Sequence, residues 1–226
     1  MTPPDAAPGA TDPTRSAIRP PSLTGFDHVT RFHDPRRHTI SAKILPGEYY
    51  VTTDDELITT VLGSCVSACV WDPEAAIGGM NHFMLPEGGG RSADGAAAGG
   101  PGLEPARYGI YAMEFLINTV LANGGARSRL QVKLAGGGQV VPSATAIGET
   151  NVEFARHYVR REGLDLVGEH LGGPNARRLL FRPRSGQTSV LELSTDERRE
   201  VVDREQRYAS SVNRGGRQAS GSVELF

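Results

Sequence analysis

Two short apolar runs on either side of an Asp-Pro-Glu turn constrain the fold more than any other part of the chain. Residues 66–71 (VSACVW) are apolar and rich in β-branched side chains over the length of a strand, and residues 77–85 (IGGMNHFML) form a second apolar run. The sequence Asp72-Pro73-Glu74 between them is typical of a turn. The sequence therefore predicts a β-hairpin in which the start of the first strand lies beside the end of the second.

A cysteine and a histidine lie at these two ends of the predicted hairpin. Cys65 follows Gly63 and Ser64, which suit a sharp turn, and His82 lies near the end of the second run. A thiol beside an imidazole is the pair that a cysteine nucleophile needs, because the imidazole can generate the thiolate and shuttle the proton. We therefore expect pairing with His82 to lower the pKa of Cys65. Backbone N–H groups at the Ser64-Cys65 turn are expected to stabilise an oxyanion.

The residues alone leave a structural interpretation open beside the catalytic one. Thr59, on the strand that leads to Cys65, is a candidate to orient His82 through its hydroxyl, as the third member of a triad-like arrangement. However, a lone cysteine in an apolar run is commonly a small buried hydrophobe, which is our interpretation of Cys69. A lone histidine between apolar residues is likewise more often a core residue than a catalyst.

The chain divides into one predicted domain with two tails. Residues 1–37 are rich in proline and alanine and are expected to be disordered, although the stretch 26–32 could dock locally. Residues 38–212 are expected to form the domain, and residues 213–226 a flexible C-terminal tail. The glycine-rich stretch 88–105 is interpreted as a tolerated surface insertion, with a flap over the site as the alternative.

Charge and cysteine content narrow the classes of function. A formal net charge of −2 and a pI near 6.3 argue against nucleic acid as a partner. Two cysteines do not make a disulfide scaffold, and a free nucleophilic thiol suits the reducing cytoplasm. Cys65 and Cys69 with one histidine fall short of the four ligands of a zinc site, so no metal is expected. The chain has no apolar run of about 18 residues and no signal peptide, so membrane insertion is not expected.

Three helices are predicted outside the hairpin. The first covers residues 108–123, with an apolar stripe that includes Tyr111 and Phe115. The second covers residues 152–161, with Asn151 as its N-cap. The third opens at a capping box, Ser194-Thr195-Asp196-Glu197, and is charged, with little to bury beyond Val201, Val202 and Tyr208.

The strands predicted between these helices do not form a regular βαβ series. They cover residues 130–134, 164–171, 178–181 and 188–193. The pattern therefore predicts an α/β fold, a layered α/β sandwich of β-sheets and helices rather than a doubly wound sheet. The basic pair Arg177-Arg178 is interpreted as solvated.

The segment around Cys65 resembles the CheD family of chemoreceptor glutamine deamidases. Thr59, residues 62–66 (LGSCV), His82 and Leu85-Pro86 fall on the family's Thr-x5-Cys-x16-His spacing. The resemblance extends over about residues 38–194. It implies a layered sandwich similar to the catalytic domains of deamidating bacterial toxins.

The resemblance also implies an activity, that of a protein-glutamine glutaminase. Such an enzyme hydrolyses selected glutamine side chains of methyl-accepting chemoreceptors to glutamate and ammonia. Cys65 is the expected nucleophile, His82 the acid and base, and Thr59 the residue that orients His82. Gly63 and Ser64 are expected to form the oxyanion turn. No cofactor is required, because a thioester route needs only a nucleophile and a base.

The expected partners are the cytoplasmic helices of chemoreceptors and a CheC-like chemotaxis phosphatase. Two alternatives remain at this stage. The chain could be a regulatory module that binds such a phosphatase without turnover. It could also be a cysteine hydrolase that acts on another amide or on receptor methyl esters.

Overall fold

The structure, a computed structural model, describes residues 20–85, 103–140 and 145–218. Within these ranges the chain forms ten strands, three α-helices and a short 3-10 helix at Arg127–Arg129. The strands are β1 (Thr30–Asp34), β2 (Thr39–Lys43), β3 (Tyr49–Thr52), β4 (Leu57–Leu62), β5 (Val66–Asp72), β6 (Ile77–Asn81), β7 (Gln131–Gly136), β8 (Asp165–Leu171), β9 (Arg177–Arg182) and β10 (Gln187–Glu192). The helices are α1 (Leu103–Ala122), α2 (Thr145–Arg161) and α3 (Thr195–Gln218).

The strands form two five-stranded sheets. The first has the order β1-β2-β4-β9-β10 and the second the order β3-β6-β5-β7-β8. Neighbouring strands are antiparallel except for β2 beside β4 and β7 beside β8, which are parallel. The predicted layered α/β sandwich of β-sheets and helices is therefore confirmed.

Both sheets contribute to one hydrophobic core. Trp71 of β5 and Phe181 of β9 contact each other across the two sheets, with ring centroids 5.9 Å apart. Helices α1 and α2 pack on strands of the second sheet. No helix in the described ranges is long and apolar enough to cross a membrane.

The predicted hairpin is confirmed and extends beyond its two strands. β5 and β6 are antiparallel, and a further bridge pairs Val66 with Phe83. In that bridge the Val66 N–H donates to the Phe83 carbonyl at 3.0 Å, and the Phe83 N–H donates back at 2.9 Å. Cys65 and His82 each directly precede one of these paired residues, so the two chemically active side chains lie at the same end of the hairpin.

The folded part of the chain begins earlier and ends later than predicted. Strand β1 lies inside the range 1–37 that was expected to be disordered, because its pairing with β2 satisfies its backbone groups. Helix α3 continues to Gln218, inside the predicted C-terminal tail. Residues 1–19, most of the 88–105 insertion and residues 219–226 lie outside the described residues.

The apolar stripe of α1 is narrower than predicted. Leu116, Ile117 and Val120 are buried, whereas Tyr111 and Phe115 are exposed. The two aromatic residues are four positions apart and therefore share a helix face, on which Phe115 stacks against Tyr49 of β3, with ring centroids 6.3 Å apart.

Two polar positions also differ from the sequence-based interpretation. Arg177 is buried rather than solvated, and its guanidinium donates to the carbonyl oxygens of His170, Gly172 and Asn175. Asn151 is not an N-cap, because α2 begins six positions earlier, at Thr145. Both side chains are buried donors that the fold uses to hold loops.

We expect Phe26 to stabilise the domain although it lies in the predicted tail. Its ring is 4% exposed and contacts Tyr49 and Tyr50, with centroids 5.2 Å away in each case. Phe26→Ala should lower the free energy of unfolding by about 3 kcal/mol, because it leaves a cavity in the core. Phe32→Ala is the matched control and should change stability by about 0.5 kcal/mol or less, since Phe32 is 40% exposed. Urea denaturation measures both, and equal losses would contradict the assignment of Phe26 to the core.

Candidate active site

The turn that carries Cys65 joins the last residue of β4, in the first sheet, to the first residue of β5, in the second. The glycine-rich end of β7 holds it from one side. The Gly137 N–H donates to the Cys65 carbonyl at 2.7 Å, and the Gly138 N–H donates to the Gly63 carbonyl at 2.6 Å. Gly136 has a φ of +117°, and a Cβ at this position would collide with the Cys65 carbonyl. The glycine-rich turn after β7 therefore forms one wall of the site.

Asn151 connects the Cys65 turn to the chain just after His82. Its Nδ2 donates to the Ser64 carbonyl at 2.9 Å, and its Oδ1 accepts the Leu85 N–H at 2.8 Å. The side chain is fully buried. Asn151 thus fixes the relative position of the two active segments, a role that the N-cap interpretation missed.

His82 is held by its backbone and by one ring nitrogen. Its N–H donates to the Glu48 carbonyl at 2.9 Å, and its Nδ1 lies 2.7 Å from the Thr60 Oγ1. The Thr60 hydroxyl also donates to the Ile44 carbonyl at 2.9 Å. Because a hydroxyl has one proton to donate, Thr60 must accept from His82, which places the imidazole proton on Nδ1. The Nε2 is buried, has no hydrogen-bond partner among the described residues, and can accept a proton.

The structure therefore corrects one predicted contact. Thr60, not Thr59, bonds the His82 ring. Successive side chains of a strand point to opposite faces of the sheet. Assigning the contact to the neighbouring residue therefore places the side chain on the wrong face. Thr60 is buried toward the core, whereas Thr59 is half-buried and lines a separate surface cavity with Arg178 and Arg204.

Glu205 of α3 is the residue that the sequence interpretation missed. Its Oε1 accepts the Gly63 N–H at 2.7 Å and the Cys65 N–H at 3.2 Å. Its Oε2 accepts the N–H and the hydroxyl of Ser64, both at 2.7 Å. The predicted oxyanion turn at Gly63 and Ser64 thus forms a converging set of donors, a typical site for an anion.

Other contacts of α3 place Glu205 over this turn. Val201 is buried against Ala176 and Leu193, and the Tyr208 hydroxyl hydrogen-bonds the Tyr108 hydroxyl. Val201, Glu205 and Tyr208 recur at the i, i+4 and i+7 spacing of one helix face. That spacing is the signal in the sequence that could have identified Glu205 as buried.

Cys65, His82 and Glu205 meet in one buried cluster. The Cys65 Sγ, a ring nitrogen of His82 and a carboxylate oxygen of Glu205 all lie within 4.8 Å of one another. Such a set could in principle ligate a metal ion. However, the four hydrogen bonds that Glu205 accepts occupy about all the lone pairs of a carboxylate. The donor set therefore fits a bound carboxylate better than a metal ligand.

The cluster changes the pKa of both catalytic candidates. Burial raises the pKa of the Cys65 thiol well above its usual value, and the negative charge of Glu205 raises it further. Burial lowers the pKa of His82 to about 4, although the charge of Glu205 opposes that shift. The pair is therefore a thiol and a neutral imidazole. The expectation of a lowered pKa for Cys65 is wrong for this arrangement, because the site is desolvated and carries a carboxylate.

Cys69 lies apart from this cluster. It is buried within β5, where its backbone pairs with Met80 of β6 and Lys133 of β7. Burial raises the pKa of its thiol. The interpretation of Cys69 as a small core residue agrees with this position.

Comparison with known proteins identifies similar chains. A family model described as CheD chemotactic sensory transduction matches residues 84–192. Proteins named "Probable chemoreceptor glutamine deamidase CheD" are similar over most of the chain. One from Halorhodospira halophila is 47% identical over 94% of this chain and 96% of the relative. One from Rhodopseudomonas palustris is 45% identical over 88% and 91%. One from Methylobacillus flagellatus is 48% identical over 82% and 89%.

A solved structure of a Neisseria meningitidis protein also matches 60% of this chain and 64% of its own, with 13% identity and a TM-score of 0.32. A similarity of this size supports no conclusion about this chain.

We expect His82 to be neutral at pH 7, with its proton on Nδ1, and to titrate at about pH 4. Long-range 1H–15N correlation spectra of the imidazole distinguish the two tautomers. Because the pKa is lowered from 6.5 by folding, the unfolded chain binds more protons between pH 6.5 and about 4. The free energy of unfolding should therefore decrease as pH falls through that window, and His82→Gln should remove this component. A spectrum with the proton on Nε2 would contradict the assignment.

Proposed function

The chain belongs to the CheD family, and on that premise we propose that it hydrolyses glutamine side chains of chemoreceptors to glutamate and ammonia. The single observation that carries this proposal is the cluster of a thiol, an imidazole with a free Nε2 and three converging backbone N–H groups. These are the parts that acyl transfer to sulfur requires: a nucleophile, a base and an oxyanion site.

The first half of the proposed reaction forms a thioester. The His82 Nε2 takes the proton of the Cys65 thiol, and the sulfur attacks the carboxamide carbon. The carbonyl oxygen becomes an oxyanion, which the N–H groups of Gly63, Ser64 and Cys65 stabilise. His82 then returns its proton to the nitrogen, the C–N bond breaks and ammonia leaves.

The second half regenerates the thiol. His82 takes a proton from water, and the resulting hydroxide attacks the thioester carbon. The C–S bond breaks, glutamate is released and Cys65 regains its proton. The route uses no metal and no organic cofactor.

Thr60 acts in this scheme as a positioning residue. It accepts the Nδ1–H and so keeps Nε2 unprotonated, in a ring with a nitrogen within 4.8 Å of the thiol sulfur. It also stabilises the imidazolium that forms when His82 carries the thiol proton. Thr59 has no such contact and is not assigned a role.

The names of the relatives give chemoreceptor glutamines as their substrates, and we propose that the glutamines used by this chain lie on the cytoplasmic helices of methyl-accepting chemoreceptors. We therefore propose that the protein works in the cytoplasm, with residues 38–212 and the added strand β1 as its deamidase domain. Each event places a new carboxylate on a receptor helix, where like charges repel neighbouring helices. A CheC-like phosphatase is proposed as a second partner that binds at the same site.

We expect Cys65→Ala to abolish deamidation of a receptor fragment and Cys69→Ala to retain most of it. The loss should be about a thousandfold or more, because a nucleophile has no substitute in the scheme. Intact-mass analysis of the fragment with each variant measures the reaction, and thermal melts confirm that both variants fold. Equal loss in two folded variants would contradict the assignment of the nucleophile. An unchanged fragment mass with every form of the protein would favour binding without turnover.

We expect Thr60→Val to lower turnover about tenfold to a hundredfold, because a hydrogen bond to a charged group contributes about 1.5–3 kcal/mol. Thr59→Val is the matched control, with the same change one position along the strand, and should keep nearly full turnover. The deamidation rates of the two folded variants decide between the residues. A larger loss in Thr59→Val would restore the original prediction.

A further inference from the structure

Glu205 occupies the place that the proposed reaction needs for its substrate. Its carboxylate accepts the N–H groups of Gly63, Ser64 and Cys65 and lies within 4.8 Å of the thiol sulfur and the His82 ring. A substrate carbonyl needs the same N–H groups for its oxyanion. The docked helix α3 and a substrate therefore exclude each other.

We propose, resting on the function proposed above, that α3 is an intramolecular mimic of the reaction product and holds the enzyme inactive while it is docked. Deamidation of a glutamine on a helix yields a glutamate side chain on a helix. Glu205 is such a side chain, and its carboxylate lies where the product carboxylate would be released.

Two contacts on either side of Glu205 along the helix fix α3 in this position. Val201, four positions before Glu205, packs against Ala176 and Leu193. Tyr208, three positions after it, bonds the Tyr108 hydroxyl. A ligand on the same chain acts at an effective concentration on the order of millimolar. A receptor helix must therefore displace a tethered competitor before it can react.

The charge of Glu205 argues against a catalytic role for it. A partner that assists a cysteine nucleophile favours the thiolate. Glu205 does the opposite, since its negative charge raises the pKa of Cys65. Release of α3 removes that charge and admits water, and both changes favour the thiolate. The contact of Glu205 with the Cys65 turn therefore both blocks the oxyanion site and lowers the reactivity of the thiol.

A single substitution turns the mimic into a substrate. Glu205→Gln presents a carboxamide to Cys65 in the same position. The sulfur attacks Cδ, the C–N bond breaks and ammonia leaves with a proton from His82. Water then cleaves the C–S bond, and the side chain at 205 becomes glutamate again. We expect the purified variant to have the mass of the wild-type chain.

Three controls accompany that variant. Adding Cys65→Ala should preserve the amide at 205. Glu200→Gln, at an exposed position of the same helix, should keep its substituted mass. The natural Gln206, exposed beside the site, should stay a glutamine in fragment spectra that resolve it from position 205. A chain lighter by one ammonia, as a thioester between Cys65 and position 205, would equally support the proposal.

Activity on a receptor fragment tests the inhibition itself. If α3 is docked in about nine chains of ten, Glu205→Ala should raise the deamidation rate about tenfold, because the rate scales with the competent fraction. Val201→Ser weakens the docking away from the N–H groups and should also raise the rate. Glu200→Ala is the matched control and should leave the rate unchanged.

The outcomes separate this proposal from the proposed function. Suppose that the protein deamidates receptor fragments. A stable amide at position 205 would then overturn the proposed inhibition and leave the proposed function intact. Unchanged deamidation rates in Glu205→Ala and Val201→Ser would do the same. No deamidation of fragments by the wild type, by Glu205→Ala or by Val201→Ser would overturn the function.

Discussion

The pairing of Val66 with Phe83 is the interaction on which the site depends. It extends the β5–β6 hairpin by one bridge beyond its regular strands, and it sets Cys65 and His82 beside each other at the same end. The two backbone hydrogen bonds of this bridge leave little freedom in the distance between thiol and imidazole. Other hydrogen bonds stabilise that placement. The Asn151 side chain bonds both the Cys65 turn and the segment after His82. The backbone N–H groups of the glycines after β7 bond the carbonyl groups of the Cys65 turn.

The sequence was sufficient for the parts of the site that are local. A hairpin with a marked turn fixes which ends meet, so Cys65 and His82 could be paired from spacing alone. The sequence could not decide between Thr59 and Thr60 as the partner of His82. Both neighbouring residues of β4 are threonines, and only the packing of the two sheets determines which of them faces the core. The layered architecture could be predicted for a similar reason, since it follows from the irregular order of strands and helices.

The contacts that the sequence could not provide join distant parts of the chain. Glu205 lies 140 positions from Cys65, in a helix whose charge is typical of a solvated surface. Asn151 and Arg177 are polar residues that looked like a cap and a surface position. Each side chain can be buried because it forms several hydrogen bonds with the surrounding chain. Those hydrogen-bond partners come together only after the sheets are assembled. β1 was missed similarly, as its apolar content is low and its pairing with β2 stabilises it.

The position of α3 in the chain has a consequence for biosynthesis. Translation delivers the chain from its N-terminus, and β4, β5, β6 and the loop after β7 all precede α3. The segments that surround the Cys65 thiol are therefore synthesised before the helix that carries Glu205. Until α3 has been synthesised and has docked, its Glu205 carboxylate cannot accept the N–H groups of Gly63, Ser64 and Cys65. The last of the described helices to be synthesised is therefore the one that closes the site.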